Sequence, residues 1–311
     1  MSFRSVRVNY GTDITNINLA SQGSTLQNIV SGTPSLIFPG QPNPNEPPGF
    51  TRFAEYNFTD KVLHGIGNSN GQEIDGCIWK WNPGDGNMLP IQDPTAPFSP
   101  QSVMDYSFPV GQPSGSGAGL YQLWDLCGES INTSFSKFYL STRIKLAGGA
   151  LGDQPDWEGH HVLTKFMGYT GNGRNSQGAT PTNFIGNMIG SGNESDRFRT
   201  NFAIQCIQQD ITSRAFPTNT GLTPNRIIVG QWHHIEWLME IGTINVADGT
   251  FKYWLDGVLI MDYSDVLWHT TAFPSGFWGR RFDPVWGGQG TVPKSRQDHI
   301  YLDHEYMSGV I

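Results

Sequence analysis

Side chains that could bind or neutralise a charged ligand recur at alternate positions of several short segments of this chain. They are basic, amide, histidine, acidic and aromatic residues: Tyr139, Arg143, Lys145, Lys165, Arg199, Asn201, Gln205, Trp232, His234, Glu236, Lys252 and Trp254. Guanidinium and amide groups bind carboxylates and hydroxyls, and aromatic faces stack on sugar rings. The set therefore suits a carbohydrate chain if the segments that carry it lie side by side.

A simpler interpretation of the same residues is a solvated sheet face, because an antiparallel sheet usually carries polar residues on its open side. The combination of tryptophan with basic groups is richer than solvation requires, so the sequence favours carbohydrate binding. The candidate binding residues are Tyr139, Arg143, Lys165, Arg199, Asn201, Gln205, Trp232, His234, Glu236 and Trp254.

The element that must position several of these residues is a strand predicted over 232–241. Ile235, Trp237 and Met239 alternate there with His234 and Glu236, and a period of two indicates a β-strand. Further along the chain, an Asp-Gly dipeptide separates two more alternating runs, which predicts a hairpin with a type I′ turn at residues 256–257. Such a turn would pair Leu255 with Val258, Tyr253 with Ile260 and Phe251 with Asp262, and would place Phe251, Tyr253, Leu255, Val258 and Ile260 on the core face.

The same alternation predicts strands over 135–146, 160–167, 198–207 and 299–307. Together these segments predict a two-sheet antiparallel sandwich with one core. Its predicted members are Phe138, Leu140, Ile144, Phe166, Phe202, Ile204, Ile235, Trp237, Phe251, Tyr253 and Ile300.

If the apolar set of each strand faces inward, its polar set must face outward. We therefore expect six of the candidate residues to converge on one concave surface, provided that their strands share a sheet. They are Tyr139, Arg143, Lys165, Gln205, His234 and Trp254.

Composition limits the classes of function. Nineteen basic and 27 acidic residues give a net charge of −8, which argues against a nucleic-acid partner or an anionic membrane. No run approaches the length of apolar sequence that a membrane span needs, and no secretory signal is predicted at the start of the chain. Cys77, Cys127 and Cys206 show neither a disulfide framework nor zinc-ligand spacing.

The first 49 residues contain a proline-rich stretch, TPSLIFPGQPNPNEPPG, which cannot supply regular central strands. They are predicted to form an extended arm or linker, and residues 50–311 to form the sandwich domain. An arm of this kind usually becomes ordered against a neighbour, so we expect a homo-oligomer or a larger assembly. The Pro- and Gly-rich segments 82–116 and 273–293 are predicted to run over the surface.

Four sequence motifs carry a resemblance to a known fold. They are W-H-x-I-E from residue 232, the A-D-G loop at 247–249, F-x-Y-W-L-D-G-V from 251 and I-Y-L-D-H-x-Y-x-S-G from 300. Together they resemble the concanavalin A-like jelly-roll superfamily over roughly residues 135–308. More narrowly they resemble the polysaccharide-lyase-like and lectin-like sandwiches of bacterial secreted proteins and phage virion proteins.

The resemblance leaves two functions open. The first is a non-catalytic, virion-type protein, associated with a phage tail or capsid, that presents a carbohydrate-binding or assembly surface in a virion or an extracellular setting. The alternative is a lyase that cleaves a uronate-containing glycan by β-elimination. That reaction needs a group to neutralise the carboxylate, a base and an acid. By resemblance to such lyases, Arg143, Asn201 and Gln205 could neutralise, His234 or Lys165 could abstract the proton, and Tyr139 could protonate the leaving oxygen.

Other chemistries are disfavoured by spacing. A retaining glycosidase of this fold would carry E-x-D-x-E or E-x-D-x-x-E, and the only approach to it, Glu73-Ile74-Asp75, continues with Cys77 and Ile78 where the second glutamate would stand. The pairs His160-His161 and His233-His234 cannot chelate one ion, because adjacent strand residues point to opposite faces. We expect no cofactor, and a structural calcium ion held by loop carboxylates such as Asp298 or Asp303 stays open.

Overall fold

The structure is a computed structural model of the 311-residue chain. The residues that it describes are 6–10, 13–17, 43–56, 72–74, 77–81, 88–99, 101–113, 120–123, 134–159, 164–170, 183–190, 198–209, 226–271, 274, 276–277, 279–284 and 293–311. In this part of the chain every regular element is a β-strand.

The first ten strands in chain order are β1 (Val6–Tyr10), β2 (Asp13–Ile17), β3 (Thr51–Tyr56), β4 (Gln72–Ile74), β5 (Cys77–Trp81), β6 (Met88–Ile91), β7 (Val103–Phe108), β8 (Leu120–Leu123), β9 (Lys137–Gly148) and β10 (Trp157–Glu158). The remaining ones are β11 (Thr164–Thr170), β12 (Asn183–Gly190), β13 (Phe198–Arg199), β14 (Asn201–Gln209), β15 (Arg226–Ile228), β16 (Trp232–Glu240), β17 (Gly249–Leu255), β18 (Val258–Val266), β19 (Gly279–Pro284) and β20 (Asp298–Val310).

Two large antiparallel sheets dominate the described residues. The first sheet has the order β18-β17-β16-β9-β20-β7-β6, and β3 also pairs with β20. The second sheet has the order β15-β14-β12-β11-β19-β8-β5-β4. Strands distant in sequence, such as β9 and β20, are neighbours in the sheet, which is the connectivity expected of a jelly roll. The predicted all-β jelly-roll sandwich is therefore confirmed.

One hydrophobic core joins the two sheets. Trp237 and Phe138 from the first sheet are buried in it, and so are Phe202 and Ile227 from the second. The rings of Phe138 and Trp237 meet edge to face with their centroids 6.2 Å apart, a favoured arrangement of aromatic pairs. A sheet with one apolar face requires such a second layer to cover it.

The predicted core between the two sheets is confirmed for each member whose side chain is described, whereas Val258 from the predicted core face of the hairpin is exposed. Phe138, Leu140, Ile144, Phe202, Ile235, Trp237, Phe251, Tyr253 and Ile300 all belong to this single cluster. The side chains of Phe166 and Ile204 lie outside the described residues. Trp237 is fully buried, so the predicted register of β16 is correct.

The hairpin between β17 and β18 has the predicted turn but a different register beyond it. Asp256 and Gly257 both have positive φ, 51° and 78°, as a type I′ turn requires, and Leu255 pairs with Val258. A bulge at Tyr253/Trp254 then shifts the pairing, so that Tyr253 pairs with Met261 and not with Ile260. The extra residue reverses the faces of β18. Met261 is consequently buried, whereas Val258, which was predicted to be in the core, is 51% exposed.

Two segments predicted to run over the surface contribute strands to the sheets. Segment 82–116 contains β6 and β7, and the side chains of Tyr106 and Phe108 are fully or almost fully buried. Segment 273–293 contains β19, which lies between β11 and β8 inside the second sheet. The prediction was wrong for both because proline does not exclude a strand at every position. Pro90 lies within β6 at the edge of the first sheet, where a ladder donor can be missing, and Pro284 is the last residue of β19.

The chain divides into two compact units, residues 1–42 and residues 43–311. Within the first unit, β1 and β2 form an antiparallel hairpin that pairs Val6 with Ile17 and Tyr10 with Asp13. The second unit contains both large sheets and the core. The division falls between Pro42 and Asn43, seven residues before the domain boundary predicted from the proline-rich stretch.

Candidate functional site

The side of the first sheet that faces away from the core collects most of the predicted site residues. We call it the polar face; its described members are Tyr139, Ser141, Arg143 and Lys145 on β9, Trp232, His234, Glu236 and Leu238 on β16, Lys252 and Trp254 on β17, and Tyr301, Asp303 and Tyr306 on β20. Because β9 lies between β16 and β20, Arg143 pairs with His234 on one side and Asp303 on the other.

Four predicted site residues do not lie on this face. Lys165, Asn201 and Gln205 belong to strands β11 and β14 of the second sheet, and Arg199 belongs to β13, which pairs only with β10 among the described strands. The expected convergence of six residues is therefore wrong for Lys165 and Gln205. Alternation within a strand determines which side chains share a face, but it does not determine which sheet the strand joins.

The centre of the polar face is a hydrogen-bonded cluster. The Tyr139 hydroxyl donates to Glu236 Oε1 in a very short hydrogen bond, and Ser141 Oγ lies 2.8 Å from His234 Nε2. Arg143 Nη1 donates to Ser141 Oγ over 3.4 Å. Ser141 was not among the predicted site residues, although it stands on the outward side of β9 between Tyr139 and Arg143. We call Tyr139, Ser141, Arg143, His234 and Glu236 the central cluster.

The charged and titratable groups of this cluster are strongly influenced by burial. Burial, reinforced by the nearby Arg143 charge, lowers the pKa of His234 to about 3, so its imidazole is neutral at pH 7. Burial lowers the pKa of Arg143 to about 10, which leaves it charged. Burial and the Glu236 carboxylate raise the pKa of Tyr139 well above its usual range. The face therefore holds a neutral base, a cation and a neutral phenol side by side.

A turn-rich segment, residues 93–99, covers the part of the polar face formed by β9 and β20. The Phe98 ring lies over the Arg143 guanidinium, 3.9 Å from ring centroid to Cζ, and stacks on His304 at 4.6 Å. The backbone N–H groups of Phe98 and Ser99 donate to the two oxygens of Asp303 at 2.6 and 2.9 Å. Charge-assisted hydrogen bonds of this kind are the strong ones, so the segment is firmly attached.

The same segment reaches the beginning of β16. Lys145 Nζ donates to Asp93 at 2.8 Å and to Thr95 Oγ1 at 3.2 Å, and the Trp232 indole N–H also donates to Thr95 Oγ1 at 3.2 Å. Asp93 holds the turn itself, since its Oδ1 accepts from the Thr95 backbone N–H at 2.8 Å, which is a common role for aspartate in turns.

A second segment, residues 43–50, covers the centre of the face. Asn45 donates to both oxygens of Glu236, from its side-chain Nδ2 at 2.8 Å and from its backbone N–H at 3.2 Å. The Tyr306 hydroxyl donates to Glu46 at 2.9 Å, and Phe50 packs against Tyr139, Leu238 and Trp254. We call residues 43–50 and 93–99 the cover segments; both are rich in proline, which leaves few backbone donors to compete for a strand ladder.

The cover segments determine which side chains of the polar face remain accessible. Tyr139, Ser141 and Glu236 are fully buried, and Arg143 is nearly so. Trp232 is only partly buried, and the side chain of His234 is 17% exposed and that of Lys252 35% exposed. The open part of the face therefore runs along β16 and β17, next to the covered Arg143.

The two adjacent histidines, His233 and His234, point to opposite faces of β16, as the strand periodicity predicts. His233 is buried on the core side, where its Nδ1 lies 2.8 Å from Asp256 and its Nε2 accepts from the Ile228 N–H at 2.9 Å. His234 points to the polar face. Among the described residues no group of three histidine, cysteine or acidic side chains could hold a metal ion.

The two carboxylates considered for calcium both accept hydrogen bonds from nitrogen. Asp298 accepts from Lys294 Nζ at 2.6 Å and from the Gly149 N–H at 2.6 Å, and Asp303 accepts from the cover segment. Asp303, the strained His304 that follows it (φ 52°) and the cover-segment residues are parts of the site that sequence reasoning missed. For Asp303 and His304 the only sequence signal was the D-H dipeptide within the motif that begins at residue 300.

Solved structures with a similar fold include polysaccharide lyases. An alginate lyase variant in complex with alginate tetrasaccharide has a TM-score of 0.51 at 16% identity, with 84% of this chain and 96% of that chain covered. The PL-14 alginate lyase of Aplysia kurodai has a TM-score of 0.49 at 16% identity, with 72% and 87% covered. For the endo-beta-1,4-glucuronan lyase of Trichoderma reesei these values are 0.45, 12%, 84% and 96%.

No protein-family model and no curated protein matches the sequence. At these identities the first of the structures shows a shared fold. The fold that this similarity and the sheet order define is a two-sheet antiparallel jelly-roll sandwich. In the described part of the chain we find no helix with the length and apolar character needed to cross a bilayer.

Proposed function

We propose that this protein binds an acidic polysaccharide on the polar face of its first sheet without cleaving the chain. The observation that carries the proposal is the open strip along β16 and β17. Trp232 offers an aromatic surface there, opposite the Lys145 cation, and His234 offers a neutral hydrogen-bonding group opposite the Arg143 cation. Aromatic stacking together with a few well-placed polar groups is the usual composition of a small-ligand site.

Burial of the groups that β-elimination needs favours binding over catalysis. Tyr139 and Arg143 lie beneath the cover segments, and the phenol is already engaged by Glu236. A uronate ring could not reach them unless both cover segments moved. We further propose that it is a virion-type or extracellular jelly-roll protein with an acidic glycan as its partner.

Binding can be tested with alginate, glucuronan, heparinoid and pectate oligosaccharides by isothermal titration calorimetry. We expect one of these acidic glycans to bind, and Trp232→Ala and His234→Ala each to weaken it at least about fivefold, corresponding to about 1 kcal/mol. Lys137→Ala is the matched control, because its side chain lies at the far end of β9, paired with Glu240. If no acidic glycan binds, or if the control weakens binding equally, the proposal fails.

A lyase is the second candidate, and one observation favours it. His234 is neutral at pH 7 and lies beside Arg143 and close to Tyr139, so a base, a cation and a proton donor share one face. Its test uses the same glycan panel and follows the ultraviolet absorbance of unsaturated uronate. If the wild type cleaves a glycan and the Tyr139→Phe and His234→Ala variants do not, the protein is a lyase and the non-catalytic binding function is wrong.

A further inference from the structure

The hydrogen bond between Ser141 and His234 has a geometry that carbohydrate binding does not require. Ser141 Oγ and His234 Nε2 are 2.8 Å apart and come from neighbouring strands, since His234 pairs with Arg143 and Glu236 with Ser141. Both strands lie in the middle of the first sheet. The pair is therefore held by ladder hydrogen bonds on both sides and is positioned as rigidly as the fold allows.

The other ring nitrogen of His234 faces a carboxylate. His234 Nδ1 lies 3.6 Å from Glu236 Oε2, and Glu236 is itself held by the Tyr139 hydroxyl and by Asn45. This separation allows an electrostatic contact but is too long for a hydrogen bond. In the tautomer with its proton on Nδ1, Nε2 is the acceptor for the Ser141 hydroxyl proton. A hydroxyl, a base and a carboxylate that orients the base form the arrangement that activates a serine nucleophile.

A cation lies where negative charge would develop. Arg143 Nη1 is 3.4 Å from Ser141 Oγ, so an acyl group bonded to Ser141 would place its carbonyl oxygen near the guanidinium. Fixed positive charge at a developing oxyanion is a major source of transition-state stabilisation. The Phe98 ring packs on the same guanidinium, 3.9 Å from ring centroid to Cζ.

We propose that Ser141, His234 and Glu236 form an ester-hydrolysing site for small O-acyl groups, such as acetyl esters on a glycan. Ser141 is the nucleophile, His234 the general base and Glu236 a positioning residue. This activity goes beyond glycan binding and is independent of β-elimination. Ser141 is fully buried and only His234 is partly accessible, so the acyl group must be small enough to enter past His234 and Phe98.

The reaction balances without any further reagent. Ser141 Oγ bonds to the acyl carbon while its proton moves to His234 Nε2 and the carbonyl electron pair moves onto oxygen beside Arg143. The intermediate collapses, the ester C–O bond breaks, and the leaving alcohol takes the proton from His234. Water then attacks the acyl-serine with His234 again as base, which releases the carboxylic acid and restores Ser141.

The test uses a fluorophosphonate reagent and p-nitrophenyl acetate on the full chain, with peptide mapping by mass spectrometry. We expect an adduct on Ser141, no adduct there in Ser141→Ala, and a labelling rate at least about 100-fold lower in His234→Ala, the usual contribution of a general base. Glu236→Gln should slow labelling, and Glu236→Asp should restore part of the rate, which a merely structural carboxylate would not do.

Two further variants keep the outcome decisive. Ser308→Ala removes another fully buried serine, whose strand position is paired with Tyr139, and should leave labelling unchanged. Phe98→Ala opens the cover over Arg143 and should accelerate labelling. The proposal is overturned if Ser141 carries no adduct in both the wild-type protein and Phe98→Ala while both are folded by circular dichroism. It is also overturned if His234→Ala labels as fast as the wild type. If the protein binds an acidic glycan but Ser141 is not labelled, the ester-hydrolysing site is overturned and the glycan-binding function stands.

Discussion

At the scale of single residues, the polar face shows how the fold uses its own chain to satisfy buried charge. Glu236 has no exposed surface, yet it accepts hydrogen bonds from Tyr139 and from two donors of Asn45. A buried carboxylate without such donors would be strongly destabilising. The same groups that could serve a ligand are thus already needed for folding, so substitutions in the central cluster should affect both stability and binding.

The buried His234 predicts a specific loss of stability in acid. Its pKa falls from 6.5 to about 3 in the folded protein, so between these values the unfolded chain binds a proton that the folded chain does not. Stability therefore falls as the pH drops below 6.5. The loss from His234 should be on the order of 1–2 kcal/mol between pH 6.5 and pH 5.

Urea unfolding of the wild type and of His234→Gln at pH 7 and pH 5 measures this contribution. Glutamine does not titrate, so the variant should lose less stability than the wild type over the same interval. Equal losses in both proteins would show that His234 is not buried as a neutral group. Other titrating groups cancel in the comparison because they are present in both proteins.

At the scale of elements, a buried ion pair attaches the segment that precedes β20 to β10. Lys294 Nζ donates to Asp298 at 2.6 Å and to the Glu158 carbonyl oxygen at 3.2 Å, and its ammonium lies 4.0 Å from the centroid of the Trp157 ring. Both charged side chains of the Lys294–Asp298 pair are fully buried. A pair in this position links β10, β20 and the aromatic core.

Lys294→Met should cost roughly 3 kcal/mol of unfolding free energy, because it removes the fully buried cation of Asp298 and leaves the partly exposed Arg296, 2.9 Å away, to compensate the charge. Lys137→Met removes the lysine of an exposed pair with Glu240, in which the lysine side chain is 45% exposed, and should cost less than about 1 kcal/mol. Denaturant unfolding of both variants at pH 7 measures the difference. Similar costs for the two would contradict the structural importance of the Lys294 pair.

At the scale of the whole molecule, the division of the chain distinguishes two roles for its first fifty residues. Residues 43–50 belong to the same compact unit as the sandwich and cover its polar face, whereas residues 1–42 form a separate unit. We propose that this separate unit serves assembly, as the arm predicted from the proline-rich sequence would.

Two truncations distinguish these roles. Deleting residues 1–42 should leave the unfolding free energy of the sandwich unchanged but lower the molar mass measured by light scattering. Deleting residues 1–50 should in addition cost about 1–3 kcal/mol, because Glu236 and Tyr306 lose their partners Asn45 and Glu46. A sandwich that unfolds after the shorter deletion, or an unchanged molar mass, would contradict the proposed assembly role.

In β16 the alternation of residue types predicted correctly which side chains face the core, whereas the bulge opposite β18 reversed the faces predicted there. Ile235 and Trp237 point into the core and His234 and Glu236 away from it, as their alternation predicts, and the Asp256-Gly257 turn has the backbone conformation that this dipeptide favours. These features are local, since each depends on residues two positions apart or on the φ preferences of a single turn. The motif that begins at residue 300 likewise indicated the jelly-roll fold correctly.

Which strands are neighbours, and which segments cover them, depends on contacts between distant parts of the chain. Arg143 and Gln205 have equivalent patterns in sequence but lie in different sheets, because sheet membership depends on contacts between strands far apart in the chain. The cover segments could not be placed at all, since Asn45 and Phe98 stand in proline-rich stretches without periodicity. Their positions follow from distant partners, Glu236 for Asn45 and Asp303 for the segment of Phe98, that no local pattern encodes.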